Sequence, residues 1–531
     1  MRRPDLGPLL DRAKNLADAF DAVAARRFAF AERDDRIGRL VLLLVLGHVL
    51  VWTLQPLLSH ENLADSVDMV ENWVWGKEWQ WGYWKHPPFF AWVTGAWFAL
   101  FPRADWAYYL LAAVNSAIGL AGVWALTGEA EAEAPDRGRR RRIVALAALS
   151  ITPIWGFLAL KFNANAILLA VWPWATWAFL KAMRAPTLRN GAILGALLGV
   201  AMLSKYVSLV VVIAMIGVVA ADPRRWALAR SPAALAALAV GLLVVAPHVV
   251  WMVATDFRTL AYAEHQRAVS AFQFLNYLVR LPFSMALFLL PALAAILVAL
   301  PRADRPALKG VLVRAAEAGR TRLVGFTGLS FATMIGLGMW KWAKLSSQWG
   351  FPLMYPVPWL VVSTPGLDER RFRLDRLAAL IALVWACLIV TAPLVDAVGV
   401  AAKTPVHLEP RAELGREVTR IWREATGGAP LDTVAGTFDL ASNVAFYSPD
   451  APSMLIEFDR DKSPWITPER LRRHGIAVVC RVEDEACARA ALGDLFATDG
   501  PREVTVAKRW WGIVLKPTTV HLFLRLPTGG A

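Results

Sequence analysis

Long apolar stretches separated by short polar connectors dominate the hydropathy pattern of this chain. A helix that crosses a membrane needs about 20 largely apolar residues, and the sequence offers such runs repeatedly. They predict membrane spans over 40–58, 106–127, 143–160, 166–182, 233–254, 281–300, 323–340, 351–363 and 377–394. The apolar stretch 89–101 is too short to cross and predicts an interfacial helix that closes a first outer loop.

The apolar stretch 190–221 is interrupted at Ser204-Lys205-Tyr206. Lysines and arginines flank it on both sides, and such clusters mark cytoplasmic segments. An even number of passes must therefore lie between the flanks, and we expect two short half-spans that meet at Lys205 near the outer surface. A charged side chain there needs water or a partner, which makes Lys205 a functional candidate.

The summed pattern predicts about eleven passes, with a cytoplasmic amino terminus and an external carboxyl terminus. Residues 1–36 carry a helical apolar stripe among charges and predict an amphipathic segment on the cytoplasmic leaflet. Residues 37–399 are predicted to form the membrane domain, with its first outer loop over 59–105, and 256–280 predicts a second outer loop. The predicted fold is therefore mainly α, a polytopic helical bundle followed by a smaller domain.

That smaller domain occupies 400–531, where proline, glycine and charge return. A helical stretch over 410–424 and strand-like runs over 476–480 and 519–526 predict an extracytoplasmic α/β domain. Cys480 and Cys487 lie in it, where a disulfide is permitted, but their spacing alone does not decide whether they pair. The third cysteine, Cys387, falls in an apolar span and is expected to pack there.

Composition supports a membrane protein. The 531 residues are 57% hydrophobic and include 25 tryptophans, a residue that favours the headgroup layer of a bilayer. The net charge of +14 could indicate nucleic-acid binding. The arginines cluster in short connectors, however, as expected for cytoplasmic loops, so no nucleic-acid partner is predicted.

Polar chemistry collects in the predicted outer loops. Residues 63–91 are too acidic for a buried helix and too aromatic for a solvated linker. The ionisable and amide side chains at this surface are Asp65, Asp68, Glu71, Glu78, Lys85, His86, Asn163, Asn165, Lys205, Glu264, His265, Arg267, Lys341, Lys344 and Gln348. A carboxylate can take the proton of an acceptor hydroxyl, and cations can stabilise charge on a departing phosphate. The set therefore predicts transfer of a group from a phosphate to a hydroxyl.

Residues 68–88, DMVENWVWGKEWQWGYWKHPP, resemble the first outer loop of the GT-C polyprenyl-phosphate-dependent glycosyltransferases. That superfamily includes bacterial relatives of protein O-mannosyltransferases and the lipid A aminoarabinose and galacturonic acid transferases. Three further segments resemble its second-loop, Leu-Thr-Lys and Phe-Tyr-X-Pro motifs: Asn163-Ala164-Asn165-Ala166, Leu203-Ser204-Lys205-Tyr206 and Phe446-Tyr447-Ser448-Pro449.

The resemblance implies a role for each site residue. Asp68 is the expected catalytic base, with Glu61, Asp65 and Glu71 as rival acids. The donor phosphate is expected to contact Lys85, His86, Lys205 and Arg267. Other expected substrate-site residues are Tyr83, Glu71, Asn163, Asn165, Tyr206, His265 and Lys344. Lys85 and Asn165 stand where relatives often carry acids, and both departures replace negative charge, which argues against a carboxylate-bound metal. A divalent metal is therefore not required by the resemblance, although it remains compatible with it.

The resemblance also implies a function. We expect a glycosyltransferase of a bacterial-type cytoplasmic membrane that moves a sugar, with inversion, from a polyprenyl-phosphate donor to a hydroxyl of a lipid A-like glycolipid. Alternatives are a protein O-mannosyltransferase-like enzyme, a transporter or flippase for an amphipathic substrate, and a non-catalytic scaffold. A transporter should show paired broken helices in two related halves, whereas this sequence has one broken element and no repeat.

Overall fold

Helices build most of the molecule in a computed structural model that describes residues 7–64, 67–132, 138–264, 267–310, 318–493 and 501–528. The first seventeen helices are α1 Gly7–Arg27, α2 Ile37–Ser59, α3 Asp68–Gly76, α4 Phe89–Leu100, α5 Asp105–Ala130, α6 Arg139–Ser150, α7 Ile167–Arg184, α8 Leu188–Ser204, α9 Leu209–Ala221, α10 Arg225–Ala229, α11 Pro232–Ala254, α12 Arg258–Glu264, α13 Ala271–Ala299, α14 Ala318–Lys341, α15 Ser347–Gly350, α16 Val357–Val362 and α17 Leu374–Ala401. Among the described helices, six are long and apolar enough to cross a membrane: α2, α5, α11, α13, α14 and α17.

A small α/β domain follows α17, as predicted. Its elements are α18 Pro405–Leu408, α19 Arg411–Ala425, β1 Thr433–Gly436, α20 Phe438–Tyr447, β2 Ser453–Leu455, α21 Pro468–His474, β3 Ile476–Arg481, α22 Glu485–Leu492, β4 Arg502–Val506, β5 Arg509–Trp510, β6 Ile513–Val514 and β7 Thr518–Arg525. Five strands form one sheet in the order β2-β1-β3-β7-β4, in which β1 is parallel to β2 and β3, while β7 is antiparallel to β3 and β4. A separate hairpin pairs β5 with β6.

Most of the predicted apolar helices are present. The runs 40–58, 106–127, 233–254, 323–340 and 377–394 lie in α2, α5, α11, α14 and α17. The runs 166–182, 281–300 and 89–101 lie in α7, α13 and α4 except for one residue at one end. The predicted interruption at Lys205 is confirmed, because α8 ends at Ser204 and a short 3-10 turn separates it from α9. Cys480 and Cys487 form a disulfide that joins β3 to α22. Cys387 is exposed on α17, so its predicted packing role is wrong.

Two predicted crossings are wrong as continuous helices, and proline explains both. Within 143–160, α6 ends at Ser150 and irregular turns follow. Pro153 lacks an N–H and disfavours helical backbone at the residue before it. Within 351–363, a 3-10 turn and the short α16 replace one helix, around Pro352, Pro356 and Pro358.

The second outer loop is shorter than the predicted 256–280, since α12 occupies part of it and α13 begins at Ala271. Ser270 starts α13 early because its hydroxyl accepts the backbone N–H of Gln273, the bond expected of an N-cap serine.

Close glycine contacts position the elements that carry the polar cluster. A Cβ on Gly76 would collide with the carbonyl oxygen of Ala91, and a Cβ on Gly95 with that of Gly76. This contact sets α3 against α4 inside the first outer loop. Gly195 makes the same close approach between α8 and α11, where a Cβ would meet the carbonyl oxygen of Ala237. In each of these two helix pairs, the backbones can approach closely only because glycine has no side chain between them.

Candidate active site

Asp68 opens α3, where a carboxylate is favoured by the positive end of the helix. Its Oδ2 accepts a hydrogen bond of 2.9 Å from Nδ2 of Asn163. The Oδ1 of Asn163 in turn accepts the backbone N–H groups of Asn165 and Ala166, at 2.9 and 3.1 Å. Asn163 therefore fixes the start of the α7 region and orients the Asp68 carboxylate at the same time.

Lys205 reaches the same place from the break between α8 and α9. Its Nζ donates to Oδ1 of Asn165 at 2.5 Å and lies 5.5 Å from the ring centroid of Trp349. Burial lowers the pKa of Lys205 to about 8, and the negative charge of Asp68 opposes this lowering. Asn163 therefore holds the Asp68 carboxylate, and Asn165, two residues later, holds the Lys205 ammonium.

Glu71 and Lys85 form a second acid–base pair. Their Oε1 and Nζ atoms are 2.8 Å apart, and Glu71 is only 4% exposed. Burial raises the pKa of Glu71 to about 7, although the Lys85 charge opposes this rise and the Asp68 charge adds to it. Burial also acts to lower the pKa of Lys85, but the Glu71 carboxylate outweighs it and the pKa of Lys85 is raised.

His86 lies among rings. Its imidazole makes edge contacts with Trp75, Phe90 and Tyr262, at centroid distances of 6.3, 5.8 and 6.2 Å. Burial, together with the charges of Lys205 and Lys85, lowers the pKa of His86 well below its usual range. At neutral pH this ring is therefore uncharged, so it can offer an N–H donor but no positive charge.

The two predicted tyrosines brace the loop. The Tyr83 hydroxyl donates to the carbonyl of Trp75 at 2.7 Å, and the two rings stack 5.0 Å apart. The Tyr206 hydroxyl shares hydrogen bonds with His248 Nε2 at 2.7 Å and Thr259 Oγ1 at 2.9 Å. Tyr83 is buried inside the loop, and Tyr206 ties the Lys205 break to α11 and α12.

Sequence reasoning missed His248. Its Nδ1 lies 2.7 Å from the carbonyl oxygen of Trp81, so the ring links Tyr206 to the first outer loop. A histidine within an apolar span was the available signal, because an unpaired polar ring there is costly.

Other predicted residues lie elsewhere or outside the described ranges. Arg267 pairs through its backbone with Ala343, next to Lys344. The rival acid Glu61 is 3.5 Å from Lys508 of the C-terminal domain. Asp65, His265 and the side chain of Glu264 lie outside the described residues.

A cavity opens beside the polar cluster. Its cavity volume is about 30 Å³, and it is lined in part by Lys161, Asn163, Asn165 and Gln348. Apolar side chains from the turns after α6, from the start of α7 and from Phe351 and Pro352 form the rest of its wall. In the described ranges, no group of three or more His, Cys, Asp or Glu side chains is placed to hold a metal.

Residues 85–251 match the family model described as dolichyl-phosphate-mannose-protein mannosyltransferase. The crystal structure of ArnT from Cupriavidus metallidurans bound to undecaprenyl phosphate has the same fold, with a TM-score of 0.60 and 15% identity over 91% of this chain and 97% of that chain. Its apo structure gives 0.57 and 16% over 91% and 98%. No curated protein sequence matches.

This chain is a glycosyltransferase with the GT-C fold. Its apolar helices and that fold make it a multi-pass membrane protein. The family match spans Lys85, His86, Asn163, Asn165 and Lys205 but begins after Asp68, so the part assigned to Asp68 stays a prediction.

The C-terminal domain of this GT-C glycosyltransferase covers the side of the site that carries Trp84 and Lys85. The sequence did not predict this contact. The Phe438 ring lies 5.6 Å from Lys85 Nζ. Lys462 Nζ lies 4.5 Å from the ring centroid of Trp84, and Asp461 is 3.2 Å from Arg258 of α12. The C-terminal domain therefore contacts the same residues that surround the Glu71–Lys85 pair.

The Phe446-Tyr447-Ser448-Pro449 motif fastens that domain to the first outer loop. Phe446 is fully buried, 5.8 Å from the Trp73 ring and 5.4 Å from the Phe98 ring. The Tyr447 hydroxyl donates to Asp105 Oδ1 at 2.7 Å, and Arg103 donates to the carbonyl oxygens of Phe446 and Ser448 at 2.8 and 2.7 Å.

Replacing Phe446 by Ala is expected to lower the free energy of unfolding by about 3 kcal/mol, because a large buried ring leaves a cavity. Thermal unfolding in detergent measures this loss. Phe257→Ala, at an exposed ring, is the matched control and is expected to change little. Equal unfolding temperatures for the two variants would contradict the docking role of the motif.

Activity is expected to fall as the pH drops below about 7, because protonated Glu71 no longer holds Lys85 as an ion pair. The pKa of Glu71 is raised on folding, so this group favours the folded state at low pH, and that contribution is lost as the pH rises from about 4.5 through about 7. Protonation of Glu71 therefore does not itself unfold the protein at acid pH.

The Glu71→Gln variant separates these effects, since its amide cannot titrate. We expect the acid limb near pH 7 to disappear from its rate–pH profile while the lower activity of the variant stays constant there. Unfolding temperatures recorded at each pH provide the stability control. An unchanged limb near pH 7 in Glu71→Gln would assign it to another group.

Proposed function

We propose that this enzyme transfers a sugar from a polyprenyl-phosphate-linked donor to a hydroxyl of a glycolipid such as lipid A, at the outer side of the cytoplasmic membrane. The observation that carries the proposal is the joining of Asp68 and Lys205 through Asn163 and Asn165. A carboxylate and an ammonium held by one short segment supply the two charges that this reaction needs.

Asp68 is the proposed general base. The acceptor oxygen attacks the anomeric carbon, its proton passes to the Asp68 carboxylate, and the bond between that carbon and the phosphate oxygen breaks. Attack from the face opposite the leaving phosphate inverts the anomeric centre. The lipid phosphate is a good leaving group and needs no general acid, so a single carboxylate suffices.

Lys205 is the proposed partner of the departing phosphate. Its direct hydrogen-bond partner Asn165 is neutral, whereas an aspartate at this position would neutralise the ammonium. An asparagine therefore orients Lys205 and leaves its positive charge to act on the phosphate. His86, uncharged beside it, can add an N–H donor, while Lys85 is shared with Glu71.

The solved relative bound to undecaprenyl phosphate supports a polyprenyl phosphate as the donor lipid. For the acceptor, the description of the matched mannosyltransferase family keeps a protein hydroxyl as the second candidate. We also propose that the chain is divided into a cytoplasmic amphipathic segment (1–36), a membrane domain (37–399) and a C-terminal domain outside the cytoplasm (400–531).

Purified enzyme in vesicles, supplied with radiolabelled undecaprenyl-phosphate sugars and either lipid A or an unstructured serine-rich peptide, tests the proposal. We expect label on lipid A together with released undecaprenyl phosphate. Label on the peptide alone would replace the glycolipid acceptor by a protein. Movement of intact donor across the vesicle without any product would contradict transferase activity and favour a transporter.

A further inference from the structure

The β5–β6 hairpin of the C-terminal domain exposes a cluster of large apolar side chains. Trp511, Ile513 and Val514 are 82%, 59% and 56% exposed. They lie within four consecutive residues, outside the sheet that forms the core of the domain. Such a patch on a domain expected in water indicates contact with another surface.

The hairpin tip adds a second observation. Trp511 and Gly512 form its two-residue turn with φ values of +48° and +85°. Turns of this kind favour Asn-Gly, because both central residues need left-handed backbone. A tryptophan in the first position is strained, and its exposed ring gains no packing inside the protein in return.

A hydrogen bond fixes the depth of the hairpin relative to the membrane helices. Trp510 Nε1 donates to Asp396 Oδ2 of α17 at 2.7 Å. Asp396 lies 22 residues beyond the start of α17 at Leu374, which is roughly 33 Å along a helix. If Leu374 is placed at the inner boundary of a hydrocarbon core about 30 Å thick, Asp396 falls at the outer boundary.

The surroundings match that depth. Leu394, Val395 and Val398 of α17 are themselves exposed, so the apolar surface of the hairpin continues the lipid-facing surface of a membrane helix. Arg509 and Lys516 flank the tip and are exposed, where they can meet lipid phosphates. Tryptophan between apolar and cationic side chains is the composition of a membrane-interface anchor.

We propose that the hairpin Arg509–Lys516 inserts Trp511 into the headgroup layer of the outer leaflet and anchors the C-terminal domain to the bilayer. The anchor holds the domain whose Phe438 and Lys462 contact Lys85 and Trp84. The proposal needs the external orientation of this domain but not the identity of the transferred sugar or its acceptor.

A probe beside the tip tests the contact while Trp511 stays in place. In a Cys387→Ala background, Val514→Cys carries an environment-sensitive fluorophore, and Glu503→Cys on the exposed side of β4 is the matched control. The full-length protein is reconstituted in phosphatidylglycerol–phosphatidylcholine vesicles that contain headgroup spin-labelled lipid. We expect quenching at position 514 to exceed that at 503 at least threefold.

Two further variants separate insertion from mere proximity. Trp511→Gln is expected to reduce quenching at 514 to the level at 503, and Trp510→Phe, which removes the donor to Asp396, is expected to reduce it part of the way. Equal quenching at 514 and 503 in the parent protein would overturn the proposal. Self-quenching that grows with protein density, without lipid quenching, would overturn it in favour of a contact between two copies.

Discussion

Asp68→Asn is expected to lower the rate of sugar transfer by about 1,000-fold, because the amide keeps the shape of the carboxylate but cannot accept the acceptor proton. Asn163 donates its hydrogen bond equally well to an amide oxygen, so the loop should stay in place. Initial rates with saturating donor and acceptor, measured in vesicles, give the size of the loss.

The matched control is Asp256→Asn, which makes the same chemical change at an exposed acid with left-handed backbone. Asparagine tolerates that backbone well, so transfer and unfolding temperature should stay near the parent values. A rate for Asp68→Asn within tenfold of the parent would remove Asp68 from its assigned role.

Lys205→Met is expected to lower kcat/KM for the donor by about 100- to 1,000-fold, through loss of the positive charge that faces the departing phosphate. Methionine keeps most of the side-chain volume in this half-buried position. Donor-dependent initial rates provide the measurement. An unchanged kcat/KM would show that Lys205 only spans the gap between α8 and α9.

Asn165→Asp provides a second variant at the same contact. The new carboxylate would form an ion pair with Lys205 in place of the present hydrogen bond, so the ammonium would act less on the phosphate. We expect kcat/KM for the donor to fall about tenfold with no loss of stability. A gain in kcat/KM would mean that the site works better with the acid and that the charge argument is wrong.

The helices that the sequence predicted well are those that a single apolar run defines. α2, α5, α11 and α17 each follow from length and hydropathy. The two wrong crossings were apolar as well, but prolines at 153 and 352 interrupt them. Hydropathy measures only the preference for lipid, and it does not take into account that proline lacks the backbone N–H a helix needs.

Part of the candidate site was predicted from sequence motifs, and the part that was not depends on contacts between distant residues. Motif resemblance selected Asp68, Asn163, Asn165 and Lys205, which the fold brings together. The same resemblance could not reveal that Tyr83 is internal to the loop. It also could not reveal His248, because the contact of that histidine is with the carbonyl oxygen of Trp81, 167 positions away in the sequence.

The contribution of the C-terminal domain could not be predicted for the same reason. Lys462 and Phe438 lie more than 350 positions from the residues that they contact, Trp84 and Lys85. No local pattern encodes such a contact, since it depends on how the Phe446 motif docks the whole domain.

Donor binding and donor cleavage, measured on the same Asp68→Asn protein, test most directly whether one carboxylate drives transfer from a bound lipid phosphate. Native mass spectrometry counts the undecaprenyl-phosphate sugar bound, and chromatography counts the undecaprenyl phosphate released in the presence of acceptor. We predict one donor bound, as in the parent protein, and release reduced about 1,000-fold. Release at the parent rate, or a loss of binding that accounts for the whole loss of rate, would contradict it.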